Sequence, residues 1–198
     1  PGGDGSAAAP FQDLAAAFAI ALSGDEVLVE DGVYRGPDNK NLDRHAAALS
    51  GLRVHLRIIG EPSAQQHTML RQLKVDYSTA SKLTESELQN EYASSDALLF
   101  CSTLEGFGMP IIEAQTIGLP VITSAIAPMD DTAGEGALLV DPTDISAIRG
   151  AAMTLLNRPE ERDELIEKGH RNAERFSAVT AARRHAELYA ELNATQHK

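Results

Sequence analysis

The sequence predicts an α/β domain in which a parallel sheet carries helices on both faces. From about residue 52 onward, short apolar runs alternate with segments that show helical periodicity. The runs are apolar at consecutive positions, as in strands that are covered on both faces of a sheet. Because parallel neighbours must be joined by a crossover, which is usually a helix, the alternation favours parallel pairing.

Five apolar runs are predicted as strands, and a helix is predicted in each of the first three intervals between them. The predicted strands cover residues 53–60, 74–78, 96–102, 120–124 and 137–141, and the helices cover 63–73, 84–95 and 109–118. Thr84 and Glu87 form a capping box, in which each side chain can bond the free backbone N–H of the other residue. Pro110 suits a first helical turn and Gly118 suits a helix end.

The last third of the chain is predicted to be helical throughout. Three helices are expected over residues 144–158, 159–176 and 177–193, with Pro159 in the first turn of the second and Ser177 as the N-cap of the third. Apolar residues recur on one face of these segments. This pattern predicts that the three helices pack on the sheet or on its end.

The first third fits the alternation less well. Residues 10–24 show an Ala-rich helical pattern, and residues 26–36 contain one or two strand-like pieces. Taken alone, residues 3–36 resemble the first turn of a right-handed parallel β-helix protein, but the repeated coils that would bury such a helix are absent. We therefore interpret residues 1–36 as a helix and strand that complete the sheet and could derive from a fusion, and residues 37–198 as the main domain.

Composition narrows the class of partner. The 198 residues suit one domain of ordinary size, and 17 Lys+Arg against 29 Asp+Glu give a net charge of −12, which disfavours nucleic acids and anionic lipid surfaces. No apolar run has the length of a transmembrane helix and no secretion signal is visible. Cys101, the one cysteine, is expected to be a buried thiol in a reducing compartment, so a cytoplasmic location is predicted. No Cys or His spacing indicates a metal site.

The segment after the third predicted strand contains the residues that indicate a ligand-binding site. A loop with Gly106 and Gly108 follows the strand, and a helix begins after it, so free helix N–H groups would face the crevice where phosphates bind. Glu105 lies before the helix and Glu113 about one turn inside it, where two carboxylates can accept hydrogen bonds from ligand hydroxyls. These features together suit a sugar nucleotide. On spacing alone, a solvated Glu105 and a Glu113 that favours the helix dipole remain the simpler alternative.

Residues 102–142, "STLEGFGMPIIEAQTIGLPVITSAIAPMDDTAGEGALLVDP", strongly resemble the carboxyl-terminal half of a large family of retaining glycosyltransferases. The family has two facing Rossmann-like domains, the GT-B arrangement, and includes bacterial mannosyltransferases and glycogen and sucrose synthases. The weaker resemblance extends over residues 37–190. It implies a Rossmann-like fold, and its Glu-x7-Glu motif corresponds to Glu105 and Glu113. The resemblance assigns Glu105 to the donor sugar as the catalytic candidate, Glu113 to the ribose, and the backbone of Phe107, Gly108 and Met109 to the diphosphate.

The resemblance also implies a basic pair that neutralises the diphosphate. Arg35 and Lys40 lie at about the expected position, where two cations can stabilise the phosphate charge as the glycosidic bond breaks. The strand upstream is less continuously apolar than in the family, so Lys40 is the stronger candidate. The alternative is that both are ordinary surface charges.

The expected function is therefore that of the donor-binding half of a hexosyltransferase. The donor would be a GDP- or UDP-linked sugar, with no further cofactor, and the acceptor-binding domain would be missing or a separate partner. One alternative is a nucleotide-sugar binding module, or a truncated relic, without turnover. A second is a ligand-free interaction domain that forms a homodimer through the Ala-rich segment. The base, the sugar, the acceptor and the oligomeric state are not indicated by any residue.

Overall fold

A computed structural model describes residues 26–30 and 41–196, with side chains described from residue 42 to residue 191. Its strands are β1 (Glu26–Glu30), β2 (His55–Ile59), β3 (Asp76–Ala80), β4 (Ala97–Phe100), β5 (Val121–Ser124) and β6 (Ala137–Val140). Its helices are α1 (Asn41–Leu49), α2 (Ala64–Gln72), α3 (Glu85–Ala93), α4 (Met109–Ile117), α5 (Met129–Ala133), α6 (Ile145–Asn157), α7 (Pro159–Ala173) and α8 (Ala178–Gln196), with a 3₁₀ turn at Glu174–Phe176.

The strands form one parallel sheet in the order β3-β2-β1-β4-β5-β6. The predicted α/β fold with a parallel sheet is therefore confirmed. The chain runs outward from β1 to β3 and then returns to place β4 on the other side of β1. This reversal leaves a crevice at the carboxyl ends of β1 and β4, which is where ligands of such sheets bind.

Two apolar layers cover the sheet. Alternate residues of β4 point to opposite layers: Leu99 lies in the cluster formed with α1, α2 and α6, whereas Leu98 and Phe100 lie in the cluster formed with α3, α4 and α5. All four residues of β4 and all four of β5 are buried. Burial on both faces explains why β4 is continuously apolar rather than alternating. In β5 the two buried polar residues, Thr123 and Ser124, donate hydrogen bonds to backbone carbonyls of Phe100 and Ser102.

The predicted helix boundaries are largely confirmed. The Thr84 hydroxyl accepts from the Glu87 N–H and the Glu87 carboxylate accepts from the Thr84 N–H, which completes the capping box of α3. Gly118 ends α4 in the left-handed region with φ of 81°. Strand β3, by contrast, begins at Asp76 and not at Lys74, because Lys74 takes a φ of 54° in the turn after α2. Helix α5 has five residues, too few to show a helical period in the sequence.

Helix α8 departs from the sequence prediction. Its apolar side chains are open to solvent, with Val179, Leu188 and Tyr189 exposed to 79%, 50% and 66%. The expectation that this helix packs on the sheet or its end is therefore wrong, whereas α6 and α7 do pack there through residues such as Ile148 and Leu165. None of the described helices, α8 included, is long and apolar enough to cross a membrane.

Strand β1 belongs to the segment predicted as residues 1–36, and it is a central strand of the sheet, paired with β2 and β4. A central parallel strand gives no support to the β-helix resemblance of this segment. The Ala-rich helix predicted over residues 10–24 lies outside the described residues, and the boundary between residues 36 and 37 stays a prediction.

A backbone contact between the loop before β6 and helix α7 generates a test of the fold. A Cβ on Gly136 would lie 2.5 Å from the Gly169 Cα, so Gly136→Ala must displace backbone. We expect the free energy of unfolding to fall by about 1–3 kcal/mol. Gly150, inside α6, has open space around its Cβ position. Gly150→Ala should instead stabilise by up to about 1 kcal/mol, because alanine favours helix. Urea unfolding of both variants measures the contrast, and equal effects would contradict the close contact.

Candidate functional site

The candidate site is built on the connection from β4 to α4, at the carboxyl edge of the sheet beside the point where the strand order reverses. Gly108 is the N-cap of α4, and no side chain caps the first turn of this helix. Pro110 has no N–H, and the Ile111 N–H donates to the Gly108 carbonyl at 3.0 Å, so the Met109 N–H is the first-turn donor left for a ligand at the positive end of the helix dipole. An anion bound at this edge would accept a backbone hydrogen bond and would also be attracted by the helix dipole.

Gly108 is required by the local geometry. Its φ of 90° lies in the left-handed region, and a Cβ there would come within 3.0 Å of the Ile111 Cδ1. The chain can thus turn sharply from the loop into α4 with no side chain over the start of the helix. This turn leaves the Met109 N–H open to a ligand.

Hydrogen bonds hold this loop at both ends. The Ser102 hydroxyl accepts from the Leu104 N–H at 3.2 Å and donates to the Leu104 carbonyl at 2.9 Å. The Ser124 hydroxyl, at the end of β5, donates to the Ser102 carbonyl. On the helix side, the Thr132 hydroxyl of α5 donates to the Phe107 carbonyl at 2.7 Å. The loop is therefore fixed before any ligand arrives, which lowers the entropy cost of binding.

A buried amide network supports the loop from beneath. The Asn172 amide of α7 donates to the Gln115 side-chain oxygen and to the Thr132 carbonyl, both at 2.7 Å. The Gln115 amide donates to the Ala133 carbonyl at 2.9 Å. Asn172 and Gln115 are 6% and 1% exposed, so the network is shielded from water. It ties α5, and with it the Thr132 hydroxyl, to α4 and α7.

Glu105 has an unusual environment for a carboxylate. Its Oε1 is buried and has no hydrogen-bond partner among the described residues. Burial raises the pKa of Glu105 from 4.5 to about 7, and interactions with the Ser102 hydroxyl and the Gly106 N–H offset only part of that rise. Near neutral pH the side chain therefore exists in both protonation states. An unpartnered buried oxygen at the edge of a crevice is a group that a ligand hydroxyl can satisfy.

Glu113 lies one turn inside α4 and is half-buried. The Tyr92 hydroxyl of α3 donates to its Oε2 at 3.1 Å. Glu105, Glu113 and the junction residues Phe107, Gly108 and Met109 are thus grouped at the start of one helix, as the sequence pattern predicts. Their assigned roles stay predictions. Arg35 and Lys40 lie outside the described residues.

A cavity beside the loop was not indicated by the sequence. It has a volume of about 330 Å³ and lies between the start of α4 and the start of α8. Phe107 packs edge-on against Phe176 across it, with ring centroids 5.6 Å apart. Arg175, Arg184 and His185 line this cavity, and Arg175 and Arg184 are positively charged. They add positive charge next to the loop in a chain that is acidic overall, which favours an anionic ligand nearby.

Tyr92, Thr132, Gln115 and Asn172 were also not identified from the sequence. Each acts through a partner that is distant along the chain, between 18 and 57 positions away. Such pairs leave no local spacing pattern. Tyr92 alone carried a signal, since it is the one aromatic residue in a predicted helix whose other residues, apart from Leu88, are polar or small. Within the described ranges, no group of three or more His, Cys, Asp and Glu is arranged to hold a metal ion.

Comparison with known families gives one match that covers most of the chain. The family model described as glycosyl transferases group 1 matches residues 33–172. The matched range includes β2 to β6, the loop from β4 to α4, and both glutamates.

Three curated relatives share between 30% and 33% of residues over part of the chain. O-antigen chain mannosyltransferase B of Escherichia coli is 31% identical over 93 residues, 47% of this chain and 24% of the relative. MMP alpha-(1->4)-mannosyltransferase of Mycolicibacterium hassiacum is 30% identical over 135 residues, 65% of this chain and 33% of the relative. D-inositol 3-phosphate glycosyltransferase of Corynebacterium urealyticum is 33% identical over 108 residues, 54% of this chain and 26% of the relative. The chain thus spans about a quarter to a third of the length of these relatives.

Two solved structures show where this fold occurs. Sucrose-phosphate synthase from Thermosynechococcus elongatus superposes with a TM-score of 0.71 at 24% identity, over 87% of this chain and 46% of that chain. The catalytic domain of cholesterol-alpha-glucosyltransferase from Helicobacter pylori superposes with a TM-score of 0.65 at 15% identity, over 78% of this chain and 99% of that chain. At these identities the likeness establishes the fold, which is that of a domain found in GT-B glycosyltransferases.

The raised pKa of Glu105 predicts a pH-dependent stability. The folded state holds the proton up to about pH 7, whereas the unfolded state loses it near 4.5. The free energy of unfolding therefore falls as the pH rises through this window. Glu105→Gln, which does not titrate, should raise the free energy of unfolding at pH 8 by on the order of 1–3 kcal/mol and have a much smaller effect at pH 5. Thermal unfolding at the two pH values checks this, and an equal effect at both would rule out burial of the charge as the cause.

Proposed function

The chain belongs to the group 1 glycosyl transferases, and on that premise we propose that it binds a nucleoside diphosphate sugar as the donor-binding half of a hexosyltransferase. The observation that carries the proposal is the grouping at one helix start of a glycine turn, a backbone N–H donor at Met109 and two glutamates. The N–H group and the glycine turn suit phosphates, and the two carboxylates suit hydroxyls. A sugar nucleotide presents both.

Each residue of the site has a proposed role. The backbone of Phe107, Gly108 and Met109 binds the diphosphate, Glu113 accepts hydrogen bonds from the ribose, and Glu105 contacts the donor sugar. Because Glu105 has a pKa of about 7, its protonated form can also donate a hydrogen bond to a sugar oxygen. Lys40, assisted by Arg35, neutralises the phosphates.

The proposed reaction moves a hexosyl group with retained configuration. The bond between the anomeric carbon and the diphosphate oxygen breaks, and a bond from that carbon to the acceptor oxygen forms on the same face. The proton of the acceptor hydroxyl passes to the departing diphosphate. Helix N–H groups and cations that stabilise the charge of the leaving group lower the barrier to this step.

Two other functions remain to be separated by experiment. The chain by itself could bind the donor without transferring the sugar, since the transferases that it matches are considerably longer. Sugar transfer by the purified chain would reject this alternative. The third function is a ligand-free interaction domain. The buried, unpartnered oxygen of Glu105 speaks against it, because a fold that binds nothing gains no compensation for desolvating a carboxylate.

Nucleotide binding is tested by thermal-shift titration of the purified chain with UDP, GDP, ADP and their sugar conjugates. A ligand at a hundred times its dissociation constant should stabilise the fold by about 2.7 kcal/mol, which corresponds to roughly 5–10 °C in melting temperature. The shift should be selective for one base and should be lost in Glu113→Ala. Glu160→Ala, an exposed position at the start of α7, is the control and should keep it. The absence of a shift with every nucleotide would overturn the proposal in favour of a ligand-free domain.

The basic pair is tested by single substitutions. Lys40→Ala should weaken binding of the nucleoside diphosphate about tenfold, the effect of one lost charge-assisted hydrogen bond, and Arg35→Ala should weaken it less. Titration at low and at moderate salt should show a smaller salt dependence for Lys40→Ala, because one phosphate contact is gone. Unchanged affinity in both variants would show that Arg35 and Lys40 are surface charges.

A further inference from the structure

The phenol of Tyr92 connects the packed interior to the candidate site. Tyr92 is 3% exposed, and its ring packs in the apolar cluster with Leu98, Phe100 and Ile111. Its hydroxyl reaches Glu113 Oε2 at 3.1 Å. A rigid, buried ring therefore places a hydrogen-bond donor on the Glu113 carboxylate.

Glu91, the residue before Tyr92, attaches the carboxyl end of α3 to the sheet. Glu91 accepts two hydrogen bonds from the Arg57 guanidinium of β2, at 2.8 Å from Nε and at 2.6 Å from a terminal nitrogen. The Arg57 and Glu91 side chains are 21% and 17% exposed, so this two-point pair is only weakly screened. Arg57 also donates to the Ser78 hydroxyl of β3 at 3.0 Å. Helix α3 is thus attached to the sheet through Glu91 and to α4 through Tyr92.

We propose that Tyr92 is a positioning residue for Glu113, holding its carboxylate in the orientation in which it accepts hydrogen bonds from the ribose hydroxyls of a nucleotide. The inference rests on the proposed function and names a residue that the family resemblance did not assign. A glutamate on a helix can rotate about three side-chain torsions, so an unheld carboxylate must be ordered when the ligand binds. The Tyr92 hydroxyl restricts this rotation in advance, which favours binding through preorganisation.

A purely structural role for the same hydrogen bond predicts a different result. In that case, loss of the hydroxyl would lower the stability of the fold and leave the recognition of the ribose unchanged. The two roles are separated by ligands that differ only in the ribose hydroxyls, because only the positioning role couples Tyr92 to those hydroxyls.

The experiment measures binding of UDP, GDP and ADP to the full chain by calorimetry, and then of the 2′,3′-dideoxy form of whichever nucleotide binds. Tyr92→Phe removes the hydroxyl and keeps the ring in its packing site. We expect its affinity for the ribonucleotide to fall about three- to tenfold, the effect of one weakened hydrogen bond. Its affinity for the dideoxynucleotide should match that of the unsubstituted chain.

Two further variants complete the design. Tyr77→Phe is the matched control, because the Tyr77 hydroxyl also makes one hydrogen bond, to His67 Nδ1 at 2.8 Å, between β3 and α2. It should leave both affinities unchanged. In a Glu113→Ala background, Tyr92→Phe should have no further effect on the ribonucleotide, since the carboxylate that it positions is gone.

The outcomes distinguish this inference from the function on which it rests. If the unsubstituted chain binds none of the three nucleotides, the proposed function fails and the inference with it. If it binds and Glu113→Ala weakens binding, but Tyr92→Phe binds the ribonucleotide normally, only the inference is overturned. An equal loss of affinity for ribo- and dideoxynucleotide in Tyr92→Phe would also overturn it, because the hydroxyl would then act on the fold and not on the ribose contact.

Discussion

The burial of β4 between two apolar layers is the constraint on which the candidate site depends. Its alternate residues, such as Leu98 and Leu99, are fully buried on opposite faces of the sheet, so the strand can neither slide nor rotate without exposing apolar surface. The loop that follows therefore begins at a fixed point. Hydrogen bonds from Ser124 and Thr132 then fix both ends of that loop, and the glycine at position 108 directs the chain into α4. The position of the Met109 N–H at the start of α4 follows from these restraints together.

The groups that can bind a ligand at the site are polar groups that the packed structure leaves without a hydrogen-bond partner. One oxygen of Glu105 is buried without a partner among the described residues, and the first turn of α4 has no side-chain cap. Both groups would cost less free energy with a bound ligand than without one. The unpartnered groups at this edge of the sheet therefore lower the stability of the free chain and favour the binding of a ligand. The raised pKa of Glu105, about 7, is the effect of this burial on the carboxyl group.

The sequence predicted the parts of the structure that depend on local rules. The five strands and six helices predicted over residues 53–193, the capping box at Thr84 and the helix end at Gly118 follow from period, caps and backbone preference, and all are present, whereas α1 and α5 were not predicted. The grouping of Glu105 and Glu113 also followed, because both lie on one short segment whose strand-to-helix path was predicted. The contacts of Tyr92, Thr132 and Asn172 could not be predicted, since they join segments through the tertiary fold. The packing of α8 was wrongly predicted because apolar periodicity shows that a helix has an apolar face and does not show whether that face is covered.

Helix α8 has little tertiary support in the described part of the chain. It has 19 residues, so it is about 28 Å long, and its described side chains are almost all exposed. Hydrogen bonds within the helix, and not the packing of an apolar face, therefore hold most of its length. The backbone amide hydrogens of α8 should consequently exchange with solvent faster than those of α4, whose inward side chains are buried.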